Sequence, residues 1–350
     1  MNNAAKLILM SAMLLAAASC VRRPLEDPNE VVTVQAEVNV QAVANVTTYV
    51  YNKYIPTPDL NTDMMRVLIY DPGTKKLITQ SFISSKRIDD NGNQVLSGSL
   101  NISYGTFDIL IYNFDTPTIH VSGENNEETI LAYTEELPLS LRTHYLPSKA
   151  GDDEQDDSEL VYNYEPDHFI VAHEESLRVS PHDSVVVIRT EAHTIVDTYY
   201  LQVHVTGMEY ASSATAVITG LSPSNYFGRD ERTSNPIAAV SFDLRKSRDE
   251  SYSGENKDVL CALFNTFGKI PDASSDLHVT FNVIDTGGNL QQMDCSLDEI
   301  FKSEDAVERH WLLIDKVFEI HKPDNPNPSQ SGGFQPMVGE WENVESDISL

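Results

Sequence analysis

Val32, Val34, Ala36, Val38 and Val40 alternate with Thr33, Gln35, Glu37 and Asn39, a period of two that gives an extended chain one apolar and one polar face. The same period returns where Tyr199, Leu201, Val203 and Val205 alternate with Tyr200, Gln202, His204 and Thr206, until Gly207 ends the run. Turn chemistry punctuates these runs at Asp71-Pro72-Gly73, at residues 88–94 (IDDNGNQ), at Leu221-Ser222-Pro223 and at Thr286-Gly287-Gly288. Residues 108–113 (DILIYN) follow a bend at Tyr104-Gly105-Thr106-Phe107 and are too apolar to be solvated on either face, so they predict a strand covered on both sides. Further strands are expected within 129–141, 169–172 and 177–188, with 184–190 (SVVVIRT) central, and then at 215–219, 238–244, 259–264, 277–284 and 312–320. One helix is expected over 297–309, with Ile300, Phe301 and Val307 inward. Apolar periods of 3.6 are otherwise scarce. These signals predict an all-β chain of two antiparallel β-sandwich domains in tandem, residues 31–190 and 191–322.

The first twenty residues are of another kind. Lys6 precedes an apolar run over residues 7–18 broken only by Ser11, and Ala17, Ala18 and Ser19 form a small-residue cleavage site. Residues 1–19 therefore read as a secretory signal peptide, too short for a permanent span, which needs about 20 apolar residues. Cys20 comes next and is the only cysteine before Cys261. The stretch resembles a bacterial lipobox, with Ala17 where leucine is commonest. That resemblance implies cleavage after Ser19, a diacylglyceryl group on the Cys20 thiol and an acylated amine; an ordinary secreted protein is the plainer alternative. Two or three acyl chains, at about 0.8 kcal/mol per buried methylene, hold a protein on a bilayer. Residues 20–30, polar and with two prolines, then form a lipidated tether.

The chain carries a net charge of -29, and removing residues 1–19 takes away Lys6 and no acid. Such a surface repels nucleic acid and excludes it as a partner class. The acidic octet at residues 152–159 (DDEQDDSE) reads as a solvated loop; a calcium site there would lack the spacing and glycine of an EF-hand. Cys261 and Cys295 are open to pairing outside the cytoplasm, although Cys261 in VLCALF is more simply a small buried hydrophobe.

No HExxH, G-x-S-x-G, Walker loop or dinucleotide fingerprint is present, so neither a catalytic residue nor a cofactor-binding or metal-ligating set is assigned, and no enzyme activity is expected. The ten histidines are scattered. His168 and His173 are five apart, on opposite faces of a strand, and His204 and His278 fall on the polar sides of theirs. Tyr49, Tyr51 and Tyr54 crowd one loop; they either cover a sheet edge or form a platform for sugar rings.

The element YGTFDILIYN at 104–113 resembles the glycine-bend, aromatic and Tyr-Asn strand of Bacteroidales fimbrillin-like proteins. YYLQVHVTGMEYASSATAVITGLS from Tyr199, FNTFGKIPD at 264–272, LHVTF at 277–281 and the ending GGFQPMVGEWENVESDI at 332–348 are together similar to a family of Bacteroidales lipoproteins grouped with the fimbrillin superfamily. The resemblance implies two transthyretin-like β-sandwich domains. It also implies an outer-membrane lipoprotein at the cell surface, an anchor or accessory subunit of a fimbria serving adhesion, with other fimbrial subunits as partners. Arg22 and Arg23 lie too close to the lipid to match the protease site that stalk subunits of that superfamily use.

Residues 323–336 carry Pro323, Pro326, Pro328 and Pro336 around Gly332 and Gly333 and read as a semi-extended linker. Beyond it, residues 337–350 hold Trp341, Val344, Ile348 and Leu350, with Val344, Ser346, Ile348 and Leu350 on one face of an extended chain. On a leash, such a strand adds to the sheet edge of another subunit; the alternative is that it folds back onto its own domain. A chain with lipid at its first residue and a connector at its last suits an anchor. The rival reading is a surface glycan-binding lipoprotein, which calls for exposed aromatics gathered on a rim.

Overall fold

The computed structural model describes residues 31–40, 62–90, 93–114, 116–145, 160–183, 185–250, 252–270 and 277–323. The expected signal peptide, Cys20 and its tether, Tyr49, Tyr51 and Tyr54, the acidic octet, the linker beyond Pro323 and the terminal segment with Trp341, Val344, Ile348 and Leu350 lie outside the described residues.

In chain order the first strands are β1 (Val31–Val40), β2 (Met65–Tyr70), β3 (Leu77–Ile83), β4 (Ser85–Ile88), β5 (Gln94–Ser103), β6 (Gly105–Asn113), β7 (Ile119–Ser122) and β8 (Leu131–Thr134). A helix, Leu139–Tyr145, separates them from β9 (Leu160–Asn163), β10 (Ile170–Val179) and β11 (Val185–Thr194). There follow β12 (Asp197–Thr206), β13 (Ala211–Leu221), β14 (Ser224–Tyr226), β15 (Glu231–Arg232), β16 (Ile237–Asp243), β17 (Arg245–Arg248), β18 (Asp258–Thr266), β19 (His278–Asp285), β20 (Leu290–Ser296) and β21 (Trp311–Glu319).

The first sheet runs β3-β2-β6-β10-β11-β1-β5-β4. β10 and β11 pair only at Ile170 with Thr194 and Val171 with His193, and β10 then stays with β6, so the sheet folds over on itself. Met65, Val67, Ile69, Phe107, Ile109 and Ile111 from one layer meet Val34, Leu96, Leu100, Ile102, Ile188 and Ala192 from the other in a single core. In that core β1 lies between β5 and β11, and Val34 is fully buried. The later half packs β17-β18-β12-β21 on β20-β19-β13-β16-β9 around a second core centred on Leu201, Val203, Ile218, Phe242, Phe264 and Phe281. A small fourth sheet, β15-β14-β8-β7, takes two strands from each half.

The chain is all-β with mainly antiparallel pairing, and the structure corrects the sequence reading in several details. β1 with β11, β9 with β16 and β12 with β21 are parallel pairs, which alternation alone never distinguishes from antiparallel ones. The expected strand over 129–141 ends at Thr134, and Leu139, 72% exposed, opens the helix instead. The run 177–188 is broken by a turn in which Asp183 N donates to Ser180 O and Ser180 N to Asp183 Oδ2. The helix over 297–309 divides into a 3-10 turn (Ile300–Lys302) and Glu304–Arg309, whose first turn is capped by Ser303 Oγ accepting from Ala306 N. Val307 is 64% exposed and does not pack inward, whereas Ile300 and Phe301 do. Residue 191 falls inside β11, and β9, from before it, joins the sheet of the later core. Cys261 and Cys295 are buried thiols that no disulfide joins.

Candidate functional site: the joint between the two cores

Strands β2 and β6 are buried on both faces. Their odd-numbered residues enter the first core, while Leu68, Tyr70, Leu110 and Tyr112 enter a third cluster with Phe169, Val171, Ile195, Val196, Phe227 and Phe267. The apolar excess of DILIYN is thereby explained: its second face is covered by elements of the later half. Tyr112, Phe169 and Phe227 meet pairwise, with ring centroids 5.2–5.5 Å apart and Phe227 edge-on to both others. Phe227 belongs to the β14–β15 hairpin, and Ser224 and Asn225 pair with Tyr133 and Ala132 on β8.

The loop over residues 123–130 lies between that hairpin and the first sheet. Gly228 is required where they touch, since a Cβ there would sit 1.9 Å from Glu127 O. The loop sends two carboxylates into the joint. Glu124 takes Arg66 Nη2 at 2.9 Å, the Tyr112 hydroxyl at its carboxylate and the Tyr70 hydroxyl at its backbone oxygen. Burial, reinforced by the Glu124 charge, raises the pKa of both tyrosines far above its ordinary value.

Glu127, 2% exposed, accepts from His173 Nε2 at 2.7 Å and pairs with Lys75 Nζ at 2.9 Å. Lys75 Nζ also lies 2.8 Å from Asp108 Oδ2, and the amide of Ser176 donates to Asp108 Oδ1 at 2.8 Å. Ser176 reaches that position at φ 56°, inside the irregularity of β10 between Glu174 and Leu177. Hydrogen bonds to Asp108 and then Glu127 raise the pKa of Lys75, and the bond to Glu127 raises that of His173. Burial opposes the charge of Asp108, but Lys75 and the Ser176 amide outweigh it and hold its pKa below the usual value.

The crossing segment between β9 and β10 is fastened residue by residue. Asn163 Nδ2 donates to Thr134 O at 2.9 Å, and Glu165 Oε1 accepts from the amide of Asn265 on β18 at 2.7 Å. Asp167 Oδ2 takes the amide and hydroxyl of Thr118, while Asn113 binds His168 O and the amide of Ile170 through its two amide atoms. Burial pushes the Glu165 carboxyl up to about 7, with Asp167 adding to the rise and the Asn265 amide opposing it. Near the start of β12, Asp197 pairs with Arg232 Nη2 at 2.9 Å, yet burial still raises its pKa.

Of the histidines singled out from sequence, His173 brings its side chain into the joint, while His168 precedes β10, not on a strand with His173 as expected, and offers its carbonyl to Asn113. His204 lies on the outer face of β12, 3.4 Å from Asp249 and with its ring 4.1 Å from that of Tyr252, and is 9% exposed. Among the described residues no group of three or more His, Cys, Asp or Glu is placed to hold a metal. Lys75, Asp108, Glu127 and Glu165 were not foreseen. Asp108 alone carried a signal, as a charge opening a strand that is otherwise apolar on both faces.

A family model described as a domain of unknown function, DUF5119, matches residues 47–243, more than half of the chain. The "Putative fimbrium anchoring subunit Fim4B" of Bacteroides ovatus is 23% identical over 289 residues, which cover 73% of this chain and 79% of that protein. A crystal structure of "a putative adhesin" from Bacteroides ovatus has TM-score 0.55 at 20% identity and covers 88% of this chain and 99% of that one. Another "putative adhesin", from Bacteroides thetaiotaomicron, has TM-score 0.50 at 10% identity over 84% and 93%. These two share the fold. The resemblance to fimbrillin-like Bacteroidales proteins stands on the same comparisons. The chain belongs to the DUF5119 family.

Proposed function

We propose that this chain is an anchor or accessory subunit of a surface fimbria. The observation that carries the reading is the similarity, over 73% of the chain, to a protein described as a fimbrium anchoring subunit. The joint supports it physically. A subunit in a fibre passes load from one end to the other, and here buried ion pairs, an aromatic cluster and a sheet shared by both halves lie across that path. The reading is non-catalytic and has no cofactor.

In this proposal the two cores are transthyretin-like sandwiches, near residues 31–190 and 191–322, with β9 crossing between them. Acyl chains on Cys20, freed by cleavage after Ser19, hold the protein in the outer membrane at the cell surface. Trp341, Val344, Ile348 and Leu350 lie on a strand that pairs with the next subunit, its main-chain hydrogen bonds supplying affinity and its side chains register. The exposed pair Phe82 and Phe114 has the Arg66 guanidinium 5.7 and 5.5 Å from its ring centroids.

The test is capture of a fimbrillin-like partner subunit by the chain from Val21 onward, with and without residues 337–350, beside membrane fractionation of cells carrying Cys20→Ser. Capture by the longer form alone, and release of the serine variant from the membrane, are expected. Equal capture by both forms, or an unchanged membrane fraction, would overturn the reading.

A further inference from the structure

Two of the four non-glycine residues at positive φ among the described residues, Lys75 and Ser176, both at φ 56°, stand on the same carboxylate. A side chain in that conformation carries backbone strain, which a fold keeps where the placement itself matters. Lys75, in the β2–β3 turn, brings Nζ to 2.8 Å from Asp108 Oδ2. Ser176, in the irregularity of β10, brings its amide to 2.8 Å from Asp108 Oδ1. The two oxygens of Asp108 therefore differ in role, one beside the lysine nitrogen and the other beside a backbone N–H donor.

A third group is placed as firmly. Glu127 N donates to Lys75 O at 2.9 Å and Lys76 bridges Asn126, so the two backbones run paired at this point. Glu127 Oε2 comes within 2.9 Å of the same Nζ, while Oε1 accepts from His173 Nε2 at 2.7 Å. Both carboxylates are buried, and Asp108 lies directly across from the fully buried Tyr70 on β2.

We propose that Lys75 and Asp108 condense to an intramolecular amide, with the ion pair between them as reactant and Glu127 as the acid–base group. A proton passes from Lys75 Nζ to Asp108 Oδ2 within the pair, at no change in net charge. The freed lone pair of Nζ attacks Asp108 Cγ, and the negative charge that develops on Oδ1 is met by the Ser176 amide. Glu127 Oε2 takes a proton from Nζ and returns it to Oδ2 as the Cγ–Oδ2 bond breaks. One C–N bond has formed, one C–O bond has broken, one water leaves, and Glu127 ends as the carboxylate it was at the start.

Separate amines and acids in water do not favour this condensation, but groups held in contact act at effective concentrations on the order of 10⁵ M or more. The flank of Lys75 that is one-third exposed gives the water its exit. Because the ammonium is favoured in the ion pair, the amine is reached only through the transfer to Asp108, and the reaction is a single slow event in the life of a chain. The amide replaces an attraction that salt weakens with a bond that salt does not open. It goes beyond the fimbrial reading and holds whatever partner the chain meets.

Peptide mass spectrometry of the full chain, denatured and digested with trypsin, reads the bond directly. Trypsin cuts after Lys86 and Arg87, inside the loop that the amide closes. The peptides holding Lys75 and Asp108 should therefore emerge joined, about 18 Da below their summed mass for the one water lost, with tandem fragmentation placing the branch at Asp108. Lys75→Arg keeps a cation between the two carboxylates but has no amine to condense, and it should give separate peptides with an unchanged far-UV spectrum. Glu127→Gln keeps the shape of the side chain and should lower the joined fraction by about tenfold or more. Separate peptides from the natural chain, a loss of water confined to one peptide, a branch at Glu127, or a joined pair that persists in Lys75→Arg would overturn the proposal. A joined fraction unchanged in Glu127→Gln would overturn it as well; if that variant does not fold, the natural chain and Lys75→Arg decide between them.

Discussion

Lys75 Nζ lies 2.8 Å from Asp108 Oδ2, one ammonium from the β2–β3 turn set against a carboxylate that is 2% exposed on β6. The same ammonium reaches Glu127, also 2% exposed, on the loop that the β14–β15 hairpin presses upon. Two buried carboxylates therefore share one cation at the place where the halves meet, with His173 on the far side of Glu127.

Lys75→Met removes that cation and leaves both carboxylates without it. Breaking a buried pair costs about 3–5 kcal/mol, and because Lys75 is one-third exposed the lower part of that range is expected. Urea unfolding should show the loss, and Lys75→Met/Asp108→Asn should recover part of it. A double variant no more stable than the single one would contradict the ion-pair account.

Glu165 makes the stability of the chain depend on pH. Its carboxyl titrates near 7 when folded and at the ordinary value of 4.5 when unfolded, so its contribution is fully favourable below about 4.5 and is lost as pH rises through about 7. Glu165→Gln keeps an acceptor for the Asn265 amide and has no charge to bury. It should match the natural chain at pH 4.5 and exceed it by about 1–3 kcal/mol at pH 8. A stability difference that stays constant across that range would refute the assignment.

His173 acts in the same direction from the other side of the joint. Its pKa is raised by Glu127, so its stabilising charge is present below about 6.5 and lost as pH rises through the higher folded value. His173→Gln should therefore cost most at pH 5 and progressively less toward pH 9 in thermal unfolding. A cost that grows with pH would show the sign to be wrong.

Phe227→Ala opens a cavity between Tyr112 and Phe169, at a cost of about 3–5 kcal/mol. Phe227 belongs to the later half yet packs on the first sheet, so calorimetry should resolve one unfolding transition into two. One transition that only moves to lower temperature would mean that the halves stay coupled without it.

How much of this was legible in the chain follows from the range of the forces involved. Alternation at β1 and β12, the Asp71-Pro72-Gly73 turn and the doubly apolar DILIYN are local consequences of pleat geometry and burial, and they announced an all-β chain before any contact was known. The same local rules failed at Leu139, where helix replaced strand, and at Val307, which faces water, because short apolar runs carry no information about which neighbour will cover them.

Strand direction, the crossing of β9 into the later sheet and the meeting of Lys75, Asp108, Glu127 and His173 were decided only by tertiary structure. These four residues are separated by 19 to 98 positions, and nothing in the spacing of Lys75 from His173 predicts that both will end on Glu127. Burial is what gives the charges their weight: in water they would be four ordinary surface groups, and only the covering of the second face of β2 and β6 by the later half brings them into a medium where each must be answered.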